Sequence, residues 1–178
     1  MDQSDLPTVR IHDTKVELRN YIMNDTITEE NVLKFVTAWS EARLKRHLKS
    51  EKPPIKQEGN VFTLVGEIFE SVVLDKSKDV LIEFYAPWCE ECKKIDQVFE
   101  ELAKRLKNSN NLIIAKMDST KNEIESLEIE GFPTIKFWPA SKKDKPIDYE
   151  DESRTMDDFI KFLHKYASNK IKESHDEL

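Results

Sequence analysis

The feature that most constrains this chain is a near-continuous apolar run at residues 80–86, in which Glu83 is the one charged residue. Such a run predicts a central β-strand that is covered on both faces. A helix is predicted at residues 89–107, because apolar side chains recur there at helical spacing. Strands and helices alternate through this part of the chain, which predicts an α/β fold with a mixed central sheet flanked by helices.

The predicted elements lie within residues 59–170. Strands are expected at residues 61–65, 80–86, 111–117, 135–138 and 146–149, and helices at residues 67–74, 89–107, 121–127 and 155–168. The last two strands form an antiparallel pair, and the others are parallel.

The first fifty residues repeat a pattern found near the C-terminus. A proline-led strand precedes a threonine-capped amphipathic helix in both places, with 21 positions from Pro7 to Thr28 and 22 from Pro133 to Thr155. Chance recurrence of common signals is one explanation. The alternative, which we prefer, is that residues 1–50 are the C-terminal half of a second domain of the same kind. A charged, proline-bearing linker at residues 51–58 would follow it.

Composition excludes several classes of protein. The net charge of −7 argues against nucleic-acid binding, which needs a basic surface. The chain has no run of eighteen apolar residues, so we expect no membrane insertion. Its two cysteines are too few for a fold that is stabilised mainly by disulfides. They must be inert, half of a metal site, or a redox pair.

The two cysteines, Cys89 and Cys92, are three positions apart, directly after the central strand and at the start of the following helix. A helix N-terminus favours an anion, so the Cys89 thiolate would form readily. Cys92, one turn later, could reach Cys89 to close a disulfide. A zinc site needs four ligands, and the four histidines are scattered. Zinc binding and an inert pair remain the alternatives, and no metal or other cofactor is expected.

Four motifs together resemble the protein disulfide isomerase family: FYAPWC with Cys92, AKMDST at 115–120, FPT at 132–134, and the terminal HDEL. The resemblance implies a thioredoxin fold at residues 59–170, preceded by a truncated half thioredoxin-like domain at residues 1–50. It also implies thiol–disulfide exchange on secretory proteins, the activity of a protein disulfide isomerase.

The resemblance further implies the roles of individual residues. Cys89 is the attacking cysteine and Cys92 the resolving one. Pro133 is a cis-proline that faces them after Phe132, although an ordinary turn is the alternative for Pro133 alone. Trp88 would shield the site and contact substrate with Phe132 and Pro133, whereas core packing is the other possibility for Trp88.

Three charged residues complete the implied catalytic set. Glu83 would be a buried acid that assists proton transfer at Cys92, with Lys116 on the next strand as its partner; a solvated residue at a sheet edge is the alternative. Arg154 loosely matches an arginine that precedes the last helix of the family's domain. It would approach Cys92.

The terminal tetrapeptide at residues 175–178, within a tail at 171–178, matches an endoplasmic reticulum retention signal that a receptor reads. We therefore expect a location in the lumen of this compartment. Because the N-terminus lacks a secretory signal, we expect the chain to be the C-terminal piece of a longer precursor. The expected partners are unfolded or misbridged secretory polypeptides, glutathione or a thiol oxidase of the same compartment, and the retention receptor.

The chain departs from the family between its cysteines, where Glu90 and Glu91 replace the usual Gly-His pair. A carboxylate near Cys89 disfavours its thiolate, so we predict a higher Cys89 pKa and a less oxidising disulfide than usual. The alternative function is a largely redox-silent chaperone or peptide-binding module of the endoplasmic reticulum.

Overall fold

The structure is a computed structural model that describes residues 7–14, 19–125 and 127–174. The chain divides into two compact units, Met1–Leu48 and Lys49–Leu178. Within the described ranges, no helix is both long and apolar enough to cross a lipid bilayer. The tetrapeptide at 175–178 lies outside the described residues, so its predicted role as a retention signal stays a prediction.

The first unit contains an antiparallel strand pair, β1 (Arg10–Asp13) and β2 (Arg19–Ile22), followed by helix α1 (Glu29–Ser40). The helix begins where predicted, because the Thr28 side chain accepts a hydrogen bond from the Asn31 backbone N–H at 3.2 Å. Phe35 is buried, whereas Leu33 and Val36 on the same helix are exposed.

The second unit is built on a five-stranded mixed sheet in the order β3-β5-β4-β6-β7. Its strands are β3 (Phe62–Thr63), β4 (Asp79–Tyr85), β5 (Leu112–Asp118), β6 (Thr134–Trp138) and β7 (Ile147–Asp148). β3, β5 and β4 are parallel, and β6 and β7 complete the sheet in antiparallel pairs. The helices are a 3₁₀ turn (Gly66–Ile68), α2 (Phe69–Val73), α3 (Glu90–Arg105) and α4 (Met156–Tyr166). The predicted mixed sheet flanked by helices is confirmed.

Strand β4 lies in the middle of the sheet and is buried on both faces, which explains its near-continuous apolar sequence. Successive side chains point to opposite faces. Leu81 packs with α3 and α4 through residues such as Phe99 and Phe159, while Ile82 packs in a second cluster with Phe69. By this alternation, Glu83 projects to the same face as Leu81, beneath α3.

The segment after β5 corrects one sequence prediction. A helix was expected at residues 121–127, but the described residues of this segment form a turn and an isolated antiparallel bridge between Ile124 and Leu127. Asn122 is 4% exposed, and its side-chain oxygen accepts from the backbone N–H of Glu51 and of Gly66, both at 3.0 Å. These tertiary hydrogen bonds replace the local ones of a helix.

The end of the described chain packs against the rest of the second unit. Asp79 accepts hydrogen bonds from the backbone N–H groups of Ser168 and Asn169 at 3.0 and 2.9 Å. Further on, the Ser174 N–H donates to the Arg105 carbonyl at 2.7 Å, and Ile171 is buried. Residues 171–174 of the predicted tail are therefore held against the body of this unit.

Candidate active site

The two cysteines lie at the junction of β4 and α3. They form a disulfide with 5.3 Å between their Cα atoms, and both are almost fully buried. Cys89 is the N-cap of α3, and its Sγ accepts a hydrogen bond from the Cys92 backbone N–H at 3.1 Å. The same N–H group and the helix dipole would stabilise a thiolate at Cys89 once the disulfide opens.

A second loop lies beside the disulfide, immediately before β6. Its Phe132–Pro133 peptide bond is cis. Phe132 packs against the small cluster formed by Ala86, Cys89 and Cys92. β6 pairs with β4, with Thr134 opposite Phe84, and this pairing brings the loop to the cysteine end of β4.

Trp88 borders the disulfide on the surface. Its side chain is 70% exposed, so core packing, one of the two possibilities for this residue, is wrong. The indole contacts the Phe132 ring edge-on, with 5.8 Å between centroids. An aromatic pair with one exposed ring next to a disulfide can contact a substrate polypeptide, because aromatic rings supply apolar area at little cost in side-chain entropy.

Glu83 is 0% exposed, so the alternative of a solvated edge residue is wrong. Neither of its carboxylate oxygens has a hydrogen-bond partner within the described part of the chain. Burial, reinforced by the negative charge of Asp96, raises the Glu83 pKa from its ordinary 4.5 to about 8. The group is therefore mostly protonated at neutral pH and titrates where a general acid or base is useful.

Lys116 lies directly opposite Glu83 in the β4–β5 register, as predicted, and its charge lowers the Glu83 pKa, but it donates no hydrogen bond to that carboxylate. The Lys116 Nζ instead binds Asp96 Oδ1 on α3 at 2.7 Å. Burial lowers the Lys116 pKa, but the hydrogen bond and charge of Asp96 outweigh it, and the net shift is upward. Lys116 pairs with Asp96 because the desolvation penalty is smaller there. The Asp96 side chain is 41% exposed and keeps part of its hydration, whereas an ionised Glu83 would lose all of its hydration.

Arg154 immediately precedes the N-cap of α4 and is partly buried. Its Nε is buried and makes no hydrogen bond to any residue that the structure describes. Its charge acts on Glu83 and lowers that pKa, although less than Lys116 does. Arg154 thus belongs to the electrostatic surroundings of the buried acid.

The two glutamates between the cysteines are exposed and ion-paired. Glu90 binds Lys93 and Glu91 binds Lys94, each at 2.6 Å. The hydrogen bond from Lys93 lowers the Glu90 pKa. Each carboxylate near Cys89 is therefore accompanied by a lysine one turn later, which reduces its effect on a thiolate.

Asp96 is the member of the site that the sequence analysis did not identify. A usable signal was its position four residues after Cys92, which places both side chains on one face of α3. Among the described residues, no three His, Cys, Asp or Glu side chains cluster as a metal site would require.

Comparison with known proteins decides the family. The thioredoxin family model matches residues 60–165. This chain belongs to the thioredoxin family. It is 42% identical over 165 residues to the protein disulfide-isomerase of Drosophila melanogaster, across 92% of this chain and 33% of that protein. It is 45% identical over 146 residues to protein disulfide-isomerase A4 of Bos taurus, across 81% and 23% respectively. These similarities confirm the resemblance to protein disulfide isomerases.

A solved structure agrees with this assignment. The first thioredoxin domain of mouse protein disulfide-isomerase A4 superposes with a TM-score of 0.55 and 31% identity, covering 72% of this chain and 90% of that domain. The chain spans a third or less of the two curated relatives described above.

Proposed function

We propose that this protein is a thiol–disulfide oxidoreductase and isomerase that acts on disulfides of secretory polypeptides in the lumen of the endoplasmic reticulum. The observation that carries the proposal is the disulfide between Cys89 and Cys92 at the N-terminus of α3. The family supports it, because the similar proteins are named protein disulfide-isomerases.

The reaction in the oxidising direction begins when a substrate thiolate attacks the Cys89 Sγ. The Cys89–Cys92 bond breaks, a substrate–Cys89 disulfide forms, and Cys92 leaves as a thiolate that takes the proton of Glu83. A second substrate thiolate then attacks the substrate sulfur and releases Cys89. The substrate gains one disulfide, and the active site gains two electrons.

The reducing direction runs through the same mixed disulfide. Cys89 attacks a substrate disulfide, and one substrate sulfur leaves as a thiolate. Ionised Glu83 then accepts the Cys92 proton, Cys92 attacks Cys89, and the second substrate sulfur departs. In isomerisation, the released substrate thiolate attacks a different disulfide of the same polypeptide and displaces another substrate thiolate. That thiolate attacks the substrate sulfur of the mixed disulfide and releases Cys89, so no net oxidation occurs.

Reduction of insulin and refolding of a ribonuclease with scrambled disulfides test this proposal. We expect wild type to accelerate both reactions, and Cys89→Ser to abolish the acceleration. Cys92→Ser should accumulate mixed disulfides that non-reducing electrophoresis detects. If wild type and Cys89→Ser are equally effective in assisting refolding, the protein is instead the redox-silent chaperone.

We also propose that Glu91 makes the disulfide less oxidising than the family's Gly-His insert does. The ion pair with Lys94 is exposed, so it weakens the effect without removing it. Glu91→His should lower the Cys89 thiolate pKa, read from absorbance near 240 nm, and raise the reduction potential measured against glutathione. An unchanged potential would exclude this electrostatic explanation.

The location and the partners form part of the same proposal. The tetrapeptide at 175–178 and the family both favour a location in the endoplasmic reticulum. The retention receptor is one proposed partner, and glutathione or a thiol oxidase would reoxidise the active-site cysteines. In secretory cells, a tagged chain preceded by a signal peptide should be retained. The same chain with Leu178→Ala should be secreted.

We further propose that residues 1–50 are the C-terminal half of a preceding thioredoxin-like domain. The order β1-β2-α1 parallels β6-β7-α4, with an antiparallel strand pair and a threonine-capped helix in each. Removal of residues 1–48 should leave the second unit folded, with the same midpoint of urea denaturation. A lower midpoint would contradict a separate domain.

A further inference from the structure

Among the residues that the structure describes, three charged groups from three different elements surround Glu83. Lys116 faces it from β5, Asp96 from α3, and Arg154 from the segment before α4. From β6, the residue opposite Glu83 is Ile135, which carries no charge. Cys92 lies on α3, where it is held in the disulfide and does not titrate.

Two carboxylates therefore compete for one nearby lysine. Lys116 lies across the strand pair from Glu83, yet its ammonium is bound to Asp96 at 2.7 Å. Both carboxylate oxygens of Glu83 are buried, and neither accepts a hydrogen bond from a described residue. Because a buried carboxylate without a hydrogen-bonding partner is strongly disfavoured, this arrangement favours the neutral acid.

We infer that Asp96 is a positioning residue, which holds Lys116 away from Glu83 and thereby sets when Glu83 gives or takes the proton of Cys92. The inference rests on the proposed exchange reaction for its catalytic meaning. The arrangement of the three charged groups is independent of that reaction.

The direction of the effect follows from the charges. With Asp96 in place, Glu83 is mostly protonated near pH 7 and is prepared to protonate Cys92 as the disulfide opens. When the Asp96 charge is removed, Lys116 is free to approach Glu83, and a repulsive charge disappears. Both changes favour ionised Glu83, which is the form that accepts a proton from Cys92 when the disulfide closes.

The first test measures the titration of Glu83 directly in the chain with its disulfide closed. Glutamate side-chain carboxyl carbons are labelled with ¹³C, and Glu83→Gln identifies the Glu83 signal. In Asp96→Asn and Asp96→Ala, the midpoint should fall by about one pH unit or more. Asp96→Glu, which keeps the charge, should restore a midpoint near that of wild type.

Glu101→Gln is the matched control, because it removes one negative charge from an exposed position on the same helix. It should leave the Glu83 midpoint unchanged. Equal midpoints in wild type, Asp96→Asn and Asp96→Ala would overturn the inference. So would an equal shift in Glu101→Gln, since the effect would then come from net charge.

The second test follows closure of the disulfide from a mixed disulfide between Cys89 and glutathione, by stopped flow. At pH 7, a midpoint lowered by one unit should accelerate closure about fivefold in Asp96→Asn, because the ionised fraction of Glu83 rises. A shifted midpoint with an unchanged rate would refute control of proton transfer by Asp96.

The two tests separate this inference from the proposed function. The titration needs no catalytic turnover. If wild type fails to reduce insulin, the proposed function is wrong, whatever the titration shows. If wild type reduces insulin but the Glu83 midpoint is insensitive to Asp96, the function stands and the positioning role is refuted.

Discussion

The indole of Trp88 lies edge-on to the ring of Phe132, with an interplanar angle of 80° and 5.8 Å between the centroids. Phe132 packs against the cysteine cluster, whereas Trp88 is 70% exposed. The pair thus extends an apolar surface from the buried disulfide to solvent, where an unfolded polypeptide can contact it.

Trp88→Ala should weaken the binding of protein substrates without unfolding the chain. We expect loss of an exposed anchor of this kind to raise KM about fivefold, which corresponds to about 1 kcal/mol. Steady-state insulin reduction measures KM and kcat separately. Leu74→Ala, which trims an exposed side chain at the end of α2, is the control. An equal rise in KM for both variants would contradict a specific role for Trp88.

Glu83 should make the stability of the protein depend on pH. Its pKa is 4.5 ordinarily and about 8 in the folded state, so only the unfolded state is ionised between those values. The free energy of unfolding is therefore highest below about pH 4.5 and falls as the pH rises to about 8. At about 1.4 kcal/mol per pKa unit, the total loss is a few kcal/mol. Urea denaturation of the oxidised chain at several pH values measures this loss.

Glu83→Gln provides the comparison for that measurement. It should remove the decline between pH 5 and pH 8 and exceed wild type in stability at the higher pH, because the amide does not ionise. Glu101→Gln should decline as wild type does. If Glu83→Gln kept the full decline, another group would be responsible.

Asp79 should be among the main polar contributors to stability. It is 0% exposed and accepts four hydrogen bonds, from the backbone of Ala140, Ser168 and Asn169 and from the Asn169 side chain. Asp79→Ala leaves these donors without their acceptor, so we expect a loss of about 2–4 kcal/mol. Chemical denaturation reports the loss.

Asp75→Ala is the matched control for Asp79. It removes a carboxylate that accepts from the Ser77 N–H at an exposed turn before the same strand, so its cost should stay under about 1 kcal/mol. Similar losses for the two variants would show that the buried hydrogen bonds add little.

Asn122 should hold the segment at residues 49–51 against the rest of the second unit. Its side chain bonds to Glu51 and to the Gly66 N–H, and the Glu123 N–H donates to the Lys49 carbonyl. Asn122→Ala should speed hydrogen exchange at Gly66 and Glu51 and cost about 2 kcal/mol. Asn169→Ala, at the other end of the unit, should leave exchange at Glu51 unchanged. Unchanged exchange in Asn122→Ala would mean that other contacts hold the segment.

Much of the fold follows from patterns that one sequence carries. The apolar run at 80–86 corresponds to the buried strand β4, and Ile95, Phe99 and Leu102 form the buried face of α3, as their spacing predicts. The spacing of apolar side chains indicates which face of a helix or strand is buried. These elements can therefore be predicted without knowledge of contacts distant in sequence. The spacing of Cys89 and Cys92 likewise determines that they can bond.

Only the tertiary structure decided the details that depend on contacts distant in sequence. The segment after β5 lost its predicted helix because Asn122 bonds to residues more than fifty positions away. Lys116 bonds to Asp96 rather than to Glu83, which lies opposite it in the strand register, because the relative desolvation of the two carboxylates selects the partner. Burial at such sites depends on the packing of several elements together, which local sequence does not encode.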